Sequence, residues 1–482
     1  MKTVNFLYVI SFLIGLFVFS CSPNQNNNEQ ILGKWAGVLK TPKYKLLIRP
    51  EFYVDSNDNV SLKITGLYKK KNYPVFSDSL VIDNNKLEFY IKNSKVKFNG
   101  IYVEDSNKIR GIWQQGKFRT PIVFYTEKEI YRIERPQHPF PPFPYTVDTV
   151  SFINKKDSIR LEGIITHPID TNKKFPAVLL LSGTGPHDRD ETMYRHKPFL
   201  VLGDYLTRNG FAVLRYDDRG VGGSSGNYYN SSVLDFAEDA KAAINYMKSL
   251  SFIDTSNIGI IGFGEGGVVG TIVASDYDHC NYLILLSTPA MSGKKILFEQ
   301  IKRIQTKENA PEKEIMRDIE FNKKMIYIIL HTQKTEVITK KLKDLYFNYI
   351  KTLSEDERMK PKYNRRVFEK QLKIYSSPWF KNYLRFNPLK YFLKLSCNTL
   401  VLYGENDLQI NPTKNLNVVM NILGKNKKIK KIKISGKILQ GLNHLLQKSK
   451  TGLPGEYKKN EQTLSPSVLN EILFWIKSIS NH

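Results

Sequence analysis

Cysteine is scarce: three residues in 482, at positions 21, 280 and 397. So few exclude a disulfide framework. Cys280 and Cys397 could form at most one bond, and sequence alone does not give their separation. Both read instead as buried small hydrophobes. Long apolar runs are also missing. The one mostly apolar stretch, Asn5–Ser20, is too short to span a bilayer well. Acidic residues are in deficit, 46 against 72 lysines and arginines, for a formal charge of +26. The lysines are spread along the chain and are densest over Lys425–Lys433 (KNKKIKKIK). In a cytosolic protein such an excess would raise nucleic acid as a partner. In an exported one it fits a solvated surface, or a basic face beside anionic head groups, and no nucleic acid is expected. At this length the chain can hold two or three domains and a substantial core.

The N-terminus carries a pattern of its own. Met1-Lys2 supplies positive charge and Phe6 to Phe19 is almost free of polarity, the layout of an export signal. The stretch closes on Val18-Phe19-Ser20-Cys21. That ending resembles the lipobox of bacterial lipoproteins, although Phe19 is an atypical filler there. The resemblance implies that residues 1–20 are a signal peptide and that Cys21 is lipidated. The protein would then be exported and held to a membrane of the cell envelope. Residues 21–30 read as a polar tether.

Residues 31–134 alternate in short apolar runs: ILGKWAGVLK, KYKLLIR, VSLKITGLY, KLEFYIK, KVKFNGIYV, IRGIWQ and PIVFYT. Ser56-Asn57-Asp58, Asp83-Asn84-Asn85 and Asp105-Ser106-Asn107 separate them as turns. Seven or so strands predict a small antiparallel barrel or sandwich, with Trp35 in its core. Five prolines in residues 135–144 exclude helix and central strand, so a stiff linker and a domain boundary are expected there.

From 145 to 482 the pattern changes to strands spaced by helices, which predicts an α/β domain with a doubly wound, mostly parallel sheet. VSFINK and IRLEGIITH read as an opening hairpin; PAVLLLSG, FAVLRYD, IGIIGFG and YLILLST read as buried strands. Residues from about 294 to 395 are charged and helical in pattern, an inserted cap of the kind that roofs a substrate pocket. The sheet resumes with NTLVLYGEND and IKKIKIS and ends on a helix over Ser467–Ile479.

The chemistry concentrates at Ile258–Gly267, IGIIGFGEGG. An apolar strand runs into a glycine-rich turn and then into a small-residue helix start. A Gly-x-Ser-x-Gly elbow has this layout, and its glycines permit a strained bend that lifts the serine hydroxyl clear of the sheet. Gly262 and Gly266 stand at the flanking positions; the centre is Gly264, which has no hydroxyl. Gly262-x-Gly264-x-x-Gly267 also fits a dinucleotide fingerprint. However, this strand is not the first of its domain, and no ribose-binding acid ends the next one.

Five longer stretches decide between these readings: SGTGPHDRDE (182–191), RYDDRGVGGSSG (215–226), SSPWFKNYLRFNP (376–388), LYGENDLQI (402–410) and LQGLNHLLQ (439–447). In these, taken in order, the chain resembles bacterial α/β-hydrolases of the serine aminopeptidase and dienelactone-hydrolase-like esterase group, over roughly residues 145–480. The resemblance implies an α/β-hydrolase fold with a helical cap, an ester or amide hydrolase ancestry, and no cofactor or metal. It places the triad acid at Asp407 and the base at His444, in this fold's chain order. The backbone N–H groups of Glu265 and Thr184 would form the oxyanion hole. Asp188, Arg189 and Asp190 either line the pocket or form structural ion pairs, with ion pairing the stronger reading; Asp217, Arg219 and Gly220 read the same way, as loop-shaping and not catalytic. Ser224 and Ser225 follow a different strand and are poor substitute nucleophiles.

Three functions remain open: a ligand-binding pseudoenzyme holding a small acyl or peptide ligand; a hydrolase in which His444 and Asp407 activate water; and a structural or assembly lipoprotein working through its β-domain.

Overall fold

The computed structural model describes residues 29–41, 45–65, 74–126, 135–170, 172–276, 280–425 and 432–479. The signal segment, Cys21, most of the tether and residues 426–431 of the lysine run lie outside the described residues. Within the described residues, no helix is long and apolar enough to cross a membrane. The chain divides into two compact units at Pro136/Gln137.

The N-terminal unit is one antiparallel sheet of nine strands: β1 (Gly33–Lys40), β2 (Lys45–Val54), β3 (Val60–Thr65), β4 (Val75–Phe76), β5 (Ser79–Asp83), β6 (Lys86–Ile91), β7 (Val96–Val103), β8 (Lys108–Gln115) and β9 (Phe118–Thr126). Their order is β4-β3-β2-β1-β9-β8-β7-β6-β5. Two-residue periodicity sorts the faces. In β6, Leu87, Phe89 and Ile91 are buried while Lys86, Glu88 and Tyr90 are exposed. Trp35 is buried as expected, and its indole N–H donates to the Ile31 carbonyl (2.7 Å). The all-β unit expected from the sequence is one continuous sheet around a single apolar core. The sequence reading missed β4 and β5, because one is two residues long and the other sits among turn residues. Glu29–Ile31 already form a 3-10 turn, so the tether is shorter than its composition suggests.

The second unit holds an eight-stranded sheet: β10 (Thr146–Asn154), β11 (Ile159–His167), β12 (Phe175–Leu181), β13 (Ala212–Tyr216), β14 (Ile253–Phe263), β15 (Tyr282–Leu286), β16 (Asn398–Gly404) and β17 (Ile434–Leu439). The order is β10-β11-β13-β12-β14-β15-β16-β17; β10 and β11 are the antiparallel opening hairpin, β11 meets β13 antiparallel, and the rest is parallel. The last strand runs over Ile434–Leu439, later than IKKIKIS, because isoleucines recur from Ile429 through Ile438 and the pairing with β16 chooses that register.

Helices α1 (Pro198–Arg208), α2 (Val233–Lys248) and α3 (Glu265–Asp276) precede the cap. The cap comprises α4 (Gly293–Lys307), α5 (Glu312–His331), α6 (Thr335–Lys351), α7 (Glu355–Arg358), α8 (Arg365–Tyr375), α9 (Pro378–Arg385) and α10 (Leu389–Phe392). It is followed by α11 (Pro412–Lys425) and α12 (Pro466–Ile479). Two apolar clusters line the sheet, one with Val268 and Ile272 of α3 against Leu179 and Leu181, the other with Ile472 and Trp475 of α12 against Ile284 and Leu400.

Part of the proline-rich stretch belongs to this unit rather than acting as a free spacer. The Gln137 side chain donates to the Leu464 carbonyl (2.7 Å) and accepts the Leu464 N–H (3.0 Å), while His138 meets the Thr463 hydroxyl (3.1 Å). Cys280 and Cys397 are free thiols and only half-buried, so the expectation that both are fully interior does not hold.

Strand order reverses at β12, which pairs with β13 on one side and β14 on the other. Such a switch point opens a crevice beyond the strands' carboxyl ends. The loop after β12 and the turn after β14 face that crevice.

Candidate active site

β14 ends at Phe263 and α3 begins at Glu265, so Gly264 alone makes the turn, at φ +53°. Gly262 and Gly266 are needed for close approach. A Cβ on Gly262 would lie 2.4 Å from the Gly266 carbonyl oxygen, and one on Gly266 would lie 2.2 Å from that of Leu181. Gly264 is different. A Cβ there would meet nothing nearer than Gly183 Cα at 3.7 Å and Thr184 N and Oγ1 at 3.8 Å, which is ordinary contact. The left-handed backbone costs a non-glycine residue about 1–2 kcal/mol, but there is room for a side chain. Space at this position therefore does not demand glycine.

The other two expected residues meet. His444 Nδ1 lies 2.8 Å from Asp407 Oδ2, and both are buried. Asp407 Oδ1 accepts the backbone N–H groups of Gln409 and Ile410, each at 2.8 Å. With the carboxylate held on three sides, Nδ1 carries the proton toward Asp407 and Nε2 is turned away from it. The His444 ring packs 5.2 Å from that of Phe263, the residue before Gly264. Thr184, through both its backbone N and its hydroxyl, faces the position above Gly264. Glu265 opens α3, where the first amides lack intrahelical acceptors.

Sequence reasoning missed the frame around the oxyanion turn, residues 182–187. Three buried carboxyls hold it. Glu191 Oε2 accepts the Gly183 N–H (2.9 Å), and burial pushes this carboxyl up to about 8. Asp218 accepts the Ser182 hydroxyl (2.5 Å) and the His187 N–H (2.8 Å), and burial pushes it up to about 7. Glu265 accepts the Tyr228 hydroxyl (2.9 Å) and the Trp379 indole N–H (3.3 Å), and burial again pushes it up to about 7. Tyr228 in turn accepts the Gly185 N–H (2.9 Å). One chain of hydrogen bonds thus joins oxyanion turn, elbow and cap helix α9. Tyr228→Phe should cost about 1–3 kcal/mol, because it strands a buried N–H. Denaturant unfolding reads this, and a change below about 0.5 kcal/mol would show that the chain of bonds carries no stability.

Other charged residues of these motifs are engaged in ion pairs. Arg189 binds Asp217 (2.6 Å) and Glu162 (2.8 Å), Asp190 takes Arg215 (2.9 Å) and Lys197 (3.0 Å), and Arg219 is sandwiched by Asp239 (2.6 Å) and Asp157 (2.9 Å). Ser224 Oγ donates to the Asp217 carbonyl and Ser225 Oγ to that of Arg160, so both hydroxyls are engaged in loop structure. The cap encloses a cavity of about 100 Å³, lined among others by Leu297, Ile301, Met325, Phe368 and Tyr375. Gln300, on its wall, reaches Gln409 in the Asp407 loop (3.4 Å).

This fold agrees with the comparisons. The family described as serine aminopeptidase, S33 (Hydrolase_4) matches residues 195–435, half of the 482. The chain belongs to this family of α/β-hydrolases. The matched segment includes Gly264 and Asp407 and leaves Thr184 and His444 outside. Among curated proteins, the chain is similar to esterase EstD of Thermotoga maritima, with 29% identity over 164 residues, 34% of this chain and 39% of that one. The chain thus spans well under two thirds of that relative. Solved structures similar to it include the α/β hydrolase GrgF of Penicillium sp. sh18 (15% identity, TM-score 0.42, covering 69% of this chain and 98% of that one). Another is the Pyrococcus furiosus esterase PF2001 (18% identity, TM-score 0.39, 61% and 83%).

Proposed function

We propose that this protein is a lipid-anchored ligand-binding protein of the cell envelope, built on an ester or amide hydrolase fold that has lost its nucleophile. The observation that carries the reading is the combination at one site: a hydroxyl-free elbow at Gly264 beside a hydrogen-bonded Asp407–His444 pair. Family membership supports the ancestry. Removing the serine of a comparable triad costs about 10⁶ in kcat. What remains is a crevice with backbone donors and an imidazole, suited to holding an acyl or peptide group without turning it over. Export and anchoring rest on the Met1–Cys21 pattern.

The test uses the full chain in detergent, with short-chain aryl esters and aminoacyl anilides as substrates. The wild type is expected to release product no faster than His444→Ala. Turnover that His444→Ala abolishes would replace this reading with that of a hydrolase using a His444-activated water, for which the open space at Gly264 leaves room. Anchoring is read by fractionation: Cys21→Ser should leave the membrane fraction, and its retention there would count against lipidation.

A further inference from the structure

The vacated elbow is more than a missing group. Hydrogen-bond donors of Thr184 and the start of α3 lie beside it, and the His444 ring packs on Phe263, the residue before it. Thr184 N and Oγ1 both lie 3.8 Å from where a Cβ on Gly264 would sit. Glu265 heads α3, a helix of 12 residues whose positive end points at the crevice. His444 is nine-tenths buried (9% exposed), and with Nδ1 committed to Asp407 its Nε2 is the remaining polar atom of the ring. In a serine enzyme the space among these groups is filled by the nucleophile's own oxygen. Here that space has no side-chain atom.

We propose that this site is a receptor for free carboxylates, the acid rather than the ester or amide form of an acyl ligand; the proposal rests on the non-catalytic reading above. One carboxylate oxygen takes the backbone N–H groups of Thr184 and Glu265. The other occupies the place of the absent serine oxygen, on the His444 side of the turn. No bond is made or broken. An ester or primary amide presents a single, uncharged acceptor to the first pair of donors and nothing anionic to His444, so the site discriminates by charge-assisted hydrogen bonding. A side chain at 264 would fill the second oxygen's place.

The electrostatics of the surroundings agree. An anionic ligand would be repelled by ionised acids nearby, yet the three carboxyls framing the turn, Glu191, Asp218 and Glu265, are all pushed upward by burial and are largely or partly neutral at pH 7. Asp407 is held by His444 Nδ1 at 2.8 Å and by the backbone N–H groups of Gln409 and Ile410. A serine hydrolase that must release its acid product gains nothing from such a receptor; a binding protein does.

The experiment is titration calorimetry on the full chain in detergent with acetate, butyrate and benzoate, each beside its methyl ester and primary amide, and with inorganic phosphate. At least one acid is expected to bind tenfold or more tightly than its ester and amide. Gly264→Ala should weaken that acid at least tenfold without weakening the ester; Gly264→Ser, which should turn esters over, is titrated with the acids only and should weaken that acid by a similar factor, and His444→Ala should weaken it too. Circular dichroism melts confirm that each variant is folded. Equal binding of acid and ester, unchanged acid affinity in folded Gly264→Ser, stronger binding of phosphate than of any acid, or no acid binding at all would each overturn the proposal. Acid released from the esters in the same samples is measured separately. Such release refutes the non-catalytic reading; its absence with equal acid and ester binding refutes only the carboxylate receptor.

Discussion

Gly264→Ser should raise ester hydrolysis by about 10³- to 10⁶-fold, and adding His444→Ala should remove the gain. Each part of this follows from the site. The turn already has the left-handed backbone of a nucleophile elbow, φ +53°, so serine would inherit the bend rather than impose it. Nothing lies within 3.7 Å of the added Cβ. The base is in place, with Nδ1 bound to Asp407 at 2.8 Å and Nε2 available to take the serine proton. The oxyanion donors are backbone groups and survive the substitution. The price is about 1–2 kcal/mol of stability for a Cβ in the left-handed region, visible as a small drop in Tm. Stopped-flow or steady-state release of an aryl alcohol reads the gain. A folded Gly264→Ser that stays as slow as wild type would mean that Gly264 is not the nucleophile position, and the account of the site would fall with it.

Glu191→Gln should stabilise the protein increasingly as pH rises from about 4 to about 8. In the folded chain burial pushes the Glu191 carboxyl up to about 8; in the unfolded chain a glutamate ionises near 4.3. The folded state therefore holds this proton more tightly. Its contribution to stability is full below about pH 4, declines through the interval between the two values, and is lost above about pH 8, where both states are ionised. Glutamine does not titrate, and its amide oxygen can still accept the Gly183 N–H that Glu191 now accepts at 2.9 Å. The difference between variant and wild type should grow by a few kcal/mol across that window and then level off. Urea unfolding at pH 5, 7 and 9 measures it. Parallel stability–pH curves for the two proteins would show that Glu191 is ionised in the fold at neutral pH. Glu191→Ala, which strands the Gly183 N–H, should be destabilised at every pH.

Much of the site was legible in the sequence, for a reason that particular residues show. Gly262, Gly264 and Gly266 sit in a short stretch whose strand, turn and helix start read as an elbow, whereas Asp407 and His444 follow from the resemblance of LYGENDLQI and LQGLNHLLQ to the family. The α/β alternation and the helical cap over residues 294–395 were equally visible, since periodicity and composition change together there. The supporting frame was not. Glu191 and Asp218 stand in stretches read as motifs, yet nothing local distinguishes a carboxyl that will be buried from one that will be solvated. Tyr228 and Trp379 meet Glu265 across 37 and 114 residues of chain, a distance that no sequence window spans. The last strand was placed too early because isoleucines recur from Ile429 through Ile438, and only pairing with β16 selects Ile434–Leu439. The all-β unit was legible in the sequence, but the order of its nine strands was not, because strand count does not determine how a sheet closes.

The order of that N-terminal sheet has a kinetic consequence. Nearly every strand pairs with its immediate neighbour in the chain, across short turns. The exception is β1 with β9, which joins Trp35 to Thr126. Neighbouring hairpins form in about 1–10 μs, and closing a loop costs more entropy the longer it is. Two local meanders, β1 to β4 and β5 to β9, can therefore assemble independently, and the β1–β9 seam is the slow, committing event of folding in this unit. Amino acids that strengthen that seam should speed folding, whereas those that strengthen the outer hairpins should mainly slow unfolding.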